Sequence, residues 1–223
     1  MSGKKQEISK RSRLAGAPLA AARPSSPKSC PPVDTPEVLP GGRGFPPRAI
    51  YLGLKLVAFD VDGVLTDGRI ILDSAGIESK FFNARDGLGI GLLQQAGLKV
   101  ALLTARSSPV VAARARDMKI PPERVKQGAQ AKLPAFQELL AENKISATEA
   151  AFVGDDLLDL PVLALAGLAC CPGDAHPAVR KACHAQAGRG GGLGGARQIC
   201  EHILQQRGAG TWEKLLGQYA SKI

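Results

Sequence analysis

The chain has 223 residues, of which 44% are hydrophobic and 22% are charged, and its formal net charge is +9. These values suit a globular protein with one domain of about 150–200 residues, and no run approaches the roughly 18 apolar residues of a membrane helix, so no membrane partner is expected. The five cysteines form no Cys-x-x-Cys pair. A disulfide framework or zinc site is therefore not expected, and the composition favours a cytoplasmic location.

The first 50 residues differ from the rest of the chain. They carry nine Lys and Arg against three Asp and Glu, and they hold nine of the sixteen prolines. Such a segment buries too little apolar surface to offset its ordering entropy, so residues 1–50 are predicted to be a disordered extension. An organelle transit peptide or a start codon placed too far upstream would give the same pattern. The remaining residues are only mildly basic and poor in aromatics, which favours an anionic small molecule over nucleic acid.

From residue 54 the chain alternates between strand-like and helix-like segments. The predicted strands are 54–59, 99–103, 150–153 and 168–171, with a β-hairpin whose arms are 69–72 and 78–82. The predicted helices are 87–96, 109–118, 132–143, 160–166, 177–182 and 194–206. The alternation predicts an α/β fold, with a parallel sheet covered on both faces, in a domain spanning 51–207 and followed by a C-terminal tail, 208–223. Ligands of such sheets bind at the carboxyl ends of the strands.

Two carboxylates follow the first predicted strand, in the segment Asp60-Val61-Asp62-Gly63. At the end of a strand, one carboxylate can attack a phosphorus atom while the other carries protons. An Asp-x-Asp-Gly segment taken alone also occurs as a simple turn or a calcium-type loop. A second acidic strand end, Asp155-Asp156, argues against that interpretation, because Mg²⁺ needs further oxygen ligands beside the first pair.

Two further polar residues lie between these acids along the chain. Thr104 ends the predicted strand 99–103, and Lys132 begins a predicted helix. A hydroxyl and an ammonium group stabilise charge on the oxygens of a transferring phosphoryl group. The order Asp-x-Asp, Thr, Lys, Asp-Asp over residues 54–207 closely resembles the four-part signature of the haloacid dehalogenase superfamily of phosphatases.

Longer segments resemble one family of that superfamily, the phosphatases of 3-deoxy-D-manno-octulosonate 8-phosphate. They are Asp60–Gly68, Asn83–Gly87, Gly154–Pro161 and Gly190–Arg197, together with the hairpin near the first motif. The resemblance implies a three-layer, Rossmann-like fold in which the hairpin is a small flap in place of a cap domain. It also implies a homotetramer in which a neighbouring subunit closes each site.

The resemblance also implies roles for single residues. Asp60 is expected to be the nucleophile and a Mg²⁺ ligand, Asp62 the acid/base and a ligand through its carbonyl, and Asp155 the third protein ligand. Thr104 and Lys132 are expected to hold the phosphoryl group. Substrate contacts are implied for Asp62, Asn83, Ala84, Arg85, Asp86, Gly87, Arg106, Arg114 and Lys132.

The chain departs from the family pattern at three places. Ala105 stands where glycine is usual, Gly91 replaces a substrate-contacting arginine, and the segment 129–131 before Lys132 differs. These changes leave the phosphoryl chemistry intact and concern the choice of sugar acid. A phosphatase of nine-carbon ulosonic acid phosphates would share the same motifs. A non-catalytic oligomerisation module is a further alternative, although the intact acids and lysine argue against it.

Overall fold

The computed structural model describes residues 38–220, and a seven-stranded sheet lies at its centre. The sheet has the order β1-β9-β8-β7-β2-β5-β6, and only β1 runs antiparallel to its neighbour. Its strands, in chain order, are β1 (Leu39–Pro40), β2 (Leu56–Phe59), β5 (Lys99–Leu103), β6 (Val125–Lys126), β7 (Ala150–Val153), β8 (Leu168–Cys171) and β9 (Ala185–Gln186). A separate hairpin pairs β3 (Ile71–Leu72) with β4 (Glu78–Ser79).

Helices connect the strands and cover the sheet. They are α1 (Arg48–Gly53), α2 (Ala84–Gln95), α3 (Pro109–Asp117), α4 (Lys132–Asn143), α5 (Leu160–Leu165), α6 (Pro177–Ala182), α7 (Gly195–Gln206) and α8 (Ala209–Ala220). None of the helices described is long and apolar enough to cross a membrane.

The central strand β2 shows why the sheet needs helices on both faces. All four of its residues are fully buried, and their side chains alternate between two separate cores. Val57 and Phe59 pack with side chains of α2 and α7, whereas Leu56 and Ala58 pack with side chains of α4 and α5. A strand that is apolar on both faces is stable only when both faces are covered. The predicted three-layer α/β class and the hairpin are confirmed.

The two ends of the domain differ from the sequence-based boundaries. Residues 1–37 lie outside the described part of the chain, but β1 pairs with β9 and α1 buries Tyr51, so residues 38–50 are not a disordered extension. At the other end, α8 occupies most of the predicted tail. Its Leu215 is buried, and its Trp212 packs against the core. The domain therefore begins earlier and ends later than the predicted 51–207.

Candidate active site

The carboxyl ends of three adjacent strands bring the predicted site residues together. Asp60 follows β2, Thr104 follows β5 and Asp155 lies two residues beyond β7, and the sheet order places β2 between the other two. The main chain fixes these ends, because the Asp60 amide donates to the Val153 carbonyl at 2.9 Å. The Thr104 amide is held in the same way by the Lys126 carbonyl at 2.9 Å.

Lys132 lies at the centre of this group. Its ammonium Nζ is 2.8 Å from Asp60 Oδ2 and 2.6 Å from Asp159 Oδ1, and its side chain is only 4% exposed. The second oxygen of Asp159 accepts from the main-chain amides of Asp155 and Asp156. Asp159 thus ties the lysine to the loop after β7. Sequence reasoning missed this residue, although it stands within the Gly154–Pro161 motif.

Asp155 approaches the same group from the loop after β7. A Cβ atom at Gly63, whose φ of +89° also favours glycine, would lie 2.0 Å from Asp155 Oδ2. The Asp-x-Asp-Gly loop therefore needs glycine at this place to admit the third carboxylate. Oxygens of Asp60, Asp155 and Asp159 lie within 4.8 Å of one another.

The electrostatics of the group follow from this crowding. Burial, reinforced by the negative charge of Asp159, raises the pKa of Asp60 to about 7. Burial and the charges of Asp60 and Asp159 raise the pKa of Asp155 to about 8. Burial alone would lower the pKa of Lys132, but the two neighbouring carboxylates outweigh it and raise that pKa. One ammonium thus faces three carboxylates, which leaves an excess of negative charge.

A divalent cation fits this excess. Asp155 Oδ1 is buried and has no hydrogen-bond partner among residues 38–220, whereas both oxygens of Asp159 are already engaged. The free oxygen in this group is therefore Asp155 Oδ1. Asp60 Oδ1 accepts from the Val61 amide at 2.7 Å and Asp60 Oδ2 contacts Lys132, so the carboxylate of Asp60 can reach a metal only through its remaining lone pairs. A hard cation such as Mg²⁺ prefers carboxylate and carbonyl oxygens of this kind.

Comparison with known proteins places this geometry in a family. No family model matches the chain, and its family is shown by individual relatives instead. The 3-deoxy-D-manno-octulosonate 8-phosphate phosphatase of Yersinia pestis is 39% identical over 151 residues, which cover 68% of this chain and 80% of that protein. Its Escherichia coli K12 counterpart is 37% identical over 155 residues, covering 70% and 81%. This chain belongs to the 3-deoxy-D-manno-octulosonate 8-phosphate phosphatase family.

Solved structures agree with this membership. The phosphatase of this name from Moraxella catarrhalis, in complex with magnesium, phosphate and the sugar acid, matches with a TM-score of 0.73 at 34% identity. The match covers 77% of this chain and 97% of that one. A haloacid dehalogenase superfamily hydrolase from Legionella pneumophila matches with a TM-score of 0.73 at 33% identity, covering 78% and 93%. The predicted superfamily and family resemblance is thus confirmed.

The side chain of Asp62 contacts cations other than Lys132, unlike the side chains of Asp60 and Asp159. Its Oδ1 contacts the ammonium of Lys80, and its Oδ2 lies 3.9 Å from Arg106 Nε. The side chain of Asp62 therefore turns towards Lys80 after the hairpin and towards Arg106. Sequence reasoning missed Lys80, because a single lysine beside a hairpin carries no motif.

The segment 83–87 begins α2 beside the site. The side chain of Asn83 caps the helix by accepting from the Arg85 amide, and it also donates to the Gly192 carbonyl at 3.2 Å. Ala84 and Arg85 are exposed. Asp86, by contrast, is buried and accepts from the Arg197 amide at 2.8 Å. The predicted substrate contact of the Asp86 side chain does not follow from this geometry, because that carboxylate fastens α2 to α7.

The two predicted substrate arginines lie in different surroundings. Arg106 is 44% exposed and donates to Glu78 Oε1 at 2.9 Å, so it borders the opening beside Asp62. Arg114 is partly buried over the ring of Phe82, and its Nη2 is 2.4 Å from where a Cβ at Gly87 would stand. Gly87 is thus needed to admit Arg114 against the start of α2.

The segment Gly190–Arg197 touches the loop that follows β2 directly. A Cβ at Gly191 would lie 1.9 Å from the Gly63 carbonyl, and the Gly192 amide donates to the Val64 carbonyl at 3.0 Å. Only residues without side chains allow so close an approach. Gly91, where the family resemblance implies an arginine, lines a groove of about 380 Å³. Of the predicted site residues, that groove includes only Gly87.

Proposed function

We propose that this protein is a Mg²⁺-dependent phosphomonoesterase that hydrolyses 3-deoxy-D-manno-octulosonate 8-phosphate to the sugar acid and phosphate. The observation that carries the proposal is the buried group of Asp60, Asp155 and Asp159 around Lys132. Family membership at 37–39% identity to phosphatases of that name supports the choice of substrate.

Each residue has a task in this mechanism. Asp60 attacks phosphorus and forms an aspartyl-phosphate, while Asp62 gives a proton to the leaving oxygen of the sugar. Asp62 then accepts a proton from the water that hydrolyses the intermediate. Lys132 holds the side chain of Asp60 and offers positive charge to the phosphoryl oxygens, and Thr104 offers its hydroxyl to the same group.

The metal would be held by carboxylate oxygens of Asp60 and Asp155 and by the carbonyl of Asp62. When bound, Mg²⁺ supplies positive charge that offsets the phosphoryl oxygens and the crowded carboxylates. Asp155 Oδ1, which has no hydrogen-bond partner within the described part of the chain, supports this assignment.

The sugar acid would lie between the start of α2 and Arg106. The start of α2 offers main-chain and side-chain polar groups there, from Asn83, Ala84, Arg85 and Gly87. Arg106 is a partly exposed cation on the side of the hairpin. Arg114 would support this surface from below, because it packs against Phe82 and Gly87.

We further propose that the protein acts in the cytoplasm as a homotetramer. The hairpin region presents apolar side chains to solvent that suit burial against a neighbouring subunit, namely Ile70, Leu72, Ile77 and Phe81, which are 57–66% exposed. Several large apolar side chains exposed within one short hairpin region favour an interface there. Light scattering coupled to size-exclusion chromatography measures the assembly directly, and a monomer at micromolar concentration would refute this part of the proposal.

The function is tested by phosphate release from a panel of sugar acid phosphates, with and without Mg²⁺. The eight-carbon substrate should give the highest kcat/KM, activity should vanish in EDTA, and it should return with Mg²⁺. A higher kcat/KM on a nine-carbon ulosonic acid phosphate would identify that compound as the substrate instead.

The nucleophile is tested separately with Asp60→Asn. This variant should fold but release no phosphate, because an amide is too weak a nucleophile to form the aspartyl-phosphate. Asp73→Asn, in the exposed turn of the hairpin, is the matched control and should retain activity. Wild-type turnover by Asp60→Asn would rule out the proposed nucleophile.

A further inference from the structure

Lys80 is a lysine whose side chain is almost entirely buried. It follows β4 of the hairpin, and its side chain is only 1% exposed. Its ammonium contacts Asp62 Oδ1 and lies 3.2 Å from Glu78 Oε1. Burying an ammonium group costs several kcal/mol unless carboxylates compensate it, so two carboxylate partners at this place balance an otherwise unfavourable burial.

Arg106 completes a network of four charged groups. It donates to Glu78 Oε1 at 2.9 Å and approaches Asp62 Oδ2 to 3.9 Å. The network joins the hairpin to the loops that follow β2 and β5. Arg106 is 44% exposed whereas Lys80 is 1% exposed, so Lys80 is the inner, fixed contact of Asp62 and Arg106 is the outer one.

The two oxygens of Asp62 therefore have different surroundings. Oδ1 is bound to Lys80, whereas Oδ2 is buried and has no hydrogen-bond partner among the described residues 38–220. Resting on the proposed function, we propose that Lys80 is a positioning residue of the hairpin flap. It anchors Oδ1 so that Oδ2 is the oxygen that exchanges the proton with the leaving group.

The proton balance of the reaction shows what this anchoring achieves. In the first step Asp60 forms a bond to phosphorus as the bond between phosphorus and the sugar oxygen breaks, and the proton on Asp62 Oδ2 moves to that oxygen. In the second step water attacks phosphorus, its proton returns to Asp62 Oδ2, and the bond to Asp60 breaks. Lys80 takes part in neither transfer; it holds the carboxylate in one orientation.

If Lys80 positions the general acid, its loss should affect substrates differently according to their leaving group. Loss of a purely structural contact should affect all substrates alike. A sugar alkoxide is a poor leaving group and needs the proton, whereas p-nitrophenolate leaves well without it. A correctly placed general acid contributes about 10²–10⁴-fold to rate. Loss of the anchor should therefore harm hydrolysis of the sugar phosphate far more than hydrolysis of p-nitrophenyl phosphate.

The experiment compares kcat/KM on the two substrates in wild type and in Lys80→Met. This parameter reports the steps up to departure of the leaving group, which is the step that the acid assists. We expect a fall of about 100-fold on octulosonate 8-phosphate and of at most about fivefold on p-nitrophenyl phosphate. Equal losses on both substrates, or no loss on either, would overturn the inference.

Three further variants serve as controls for this result. Lys80→Arg keeps a cation and should restore much of the activity on the sugar phosphate. Lys80→Gln keeps a donor without charge and replaces the Met variant if that protein does not fold; an unchanged substrate ratio in it would equally overturn the inference. Lys55→Met, which removes an ion pair with Glu149 before β2, is the control that should change neither value.

The outcome separates this inference from the proposed function. If wild type releases phosphate from neither substrate, or if Asp60→Asn remains active, the proposed function fails. If wild type and Asp60→Asn behave as expected but Lys80→Met leaves the substrate ratio unchanged, only the role of Lys80 fails.

Discussion

Charged side chains lie at both ends of the central strands. Several of those at the amino ends have protein partners, whereas at the carboxyl ends the carboxylates outnumber the cations. At the carboxyl ends, Asp60 and Asp159 contact a single ammonium, and the nearby Asp155 Oδ1 has no hydrogen-bond partner among residues 38–220. Beyond the amino ends lies a groove of about 530 Å³ whose lining includes the cations Lys55, Lys99, Lys144 and Arg207. There Lys55 pairs with Glu149, and Arg207 donates to main-chain carbonyls.

The two ends differ in the hydrogen-bond and ion-pair partners that the fold supplies to their charged groups. Arg207 Nη1 reaches the carbonyls of Tyr51 and Leu54 at 2.8 and 2.9 Å, so its donors meet acceptors that the fold already supplies. At the active site, burial and the neighbouring carboxylate charges raise the pKa of Asp60 and of Asp155. Charges at one end thus stabilise the fold, whereas charges at the other end remain available to a cation and a phosphoryl group.

The largest expected effect distinguishes Asp155 from its neighbour Asp156, both of which follow β7. Asp155→Asn removes the carboxylate that faces Asp60, and we expect Mg²⁺ affinity and kcat/KM to fall by more than the roughly 10–100-fold that supporting residues cost. Asp156 is exposed and caps the Leu157 amide at 2.8 Å, and asparagine caps equally well, so Asp156→Asn should change both values less than threefold. Calorimetric titration with Mg²⁺ and steady-state kinetics measure these values. Similar losses in both variants would contradict the assignment.

A smaller effect concerns stability and pH in the absence of metal. The raised pKa values, about 7 for Asp60 and about 8 for Asp155, mean that the folded state binds more protons than the unfolded state above pH 4. Stability is then fully present below the unfolded pKa of about 4 and is lost as pH rises through 7 and 8. We expect metal-free protein to melt roughly 5 °C lower at pH 8.5 than at pH 6.

Mg²⁺ should reverse this dependence, because it binds only the ionised carboxylates. Its addition should raise the melting temperature more at pH 8.5 than at pH 6. Thermal unfolding with EDTA and with Mg²⁺ at both pH values measures the effect. Asp155→Asn should remove most of it, and an equal stabilisation by Mg²⁺ at pH 6 and 8.5 would show that the carboxylates are already ionised at the lower pH.

The smallest expected effect on catalysis comes from the opposite end of the sheet. Arg207→Met removes the hydrogen bonds to the carbonyls around α1 and should lower the free energy of unfolding by about 2 kcal/mol. The kcat/KM of the folded enzyme should stay within twofold, since Arg207 lies at the other end of β2 from Asp60. Urea unfolding and kinetics below the transition test both statements. A tenfold loss of kcat/KM without loss of stability would show that the two ends are coupled.

The sequence alone determined the fold class and the main acids of the site. Strands such as 56–59 are short, apolar and buried on both faces, and the candidate residues Asp60, Thr104 and Asp155 stand just after such strands. Since parallel strands end at one edge of the sheet, Asp60, Thr104 and Asp155 had to meet there. Lys132 could be added because it begins a predicted helix between Thr104 and Asp155, in the order of the superfamily signature.

Only the tertiary structure decided which residues support those acids. Lys80 contacts Asp62 because the hairpin folds back over the catalytic loop, and Asp86 faces Arg197 because α2 packs on α7. The strand Leu39–Pro40 lies in a proline-rich stretch and is ordered by pairing with β9. Such contacts join residues far apart in the chain or in separate elements. Local composition does not encode them, because their energy comes from partners that meet only in the folded state.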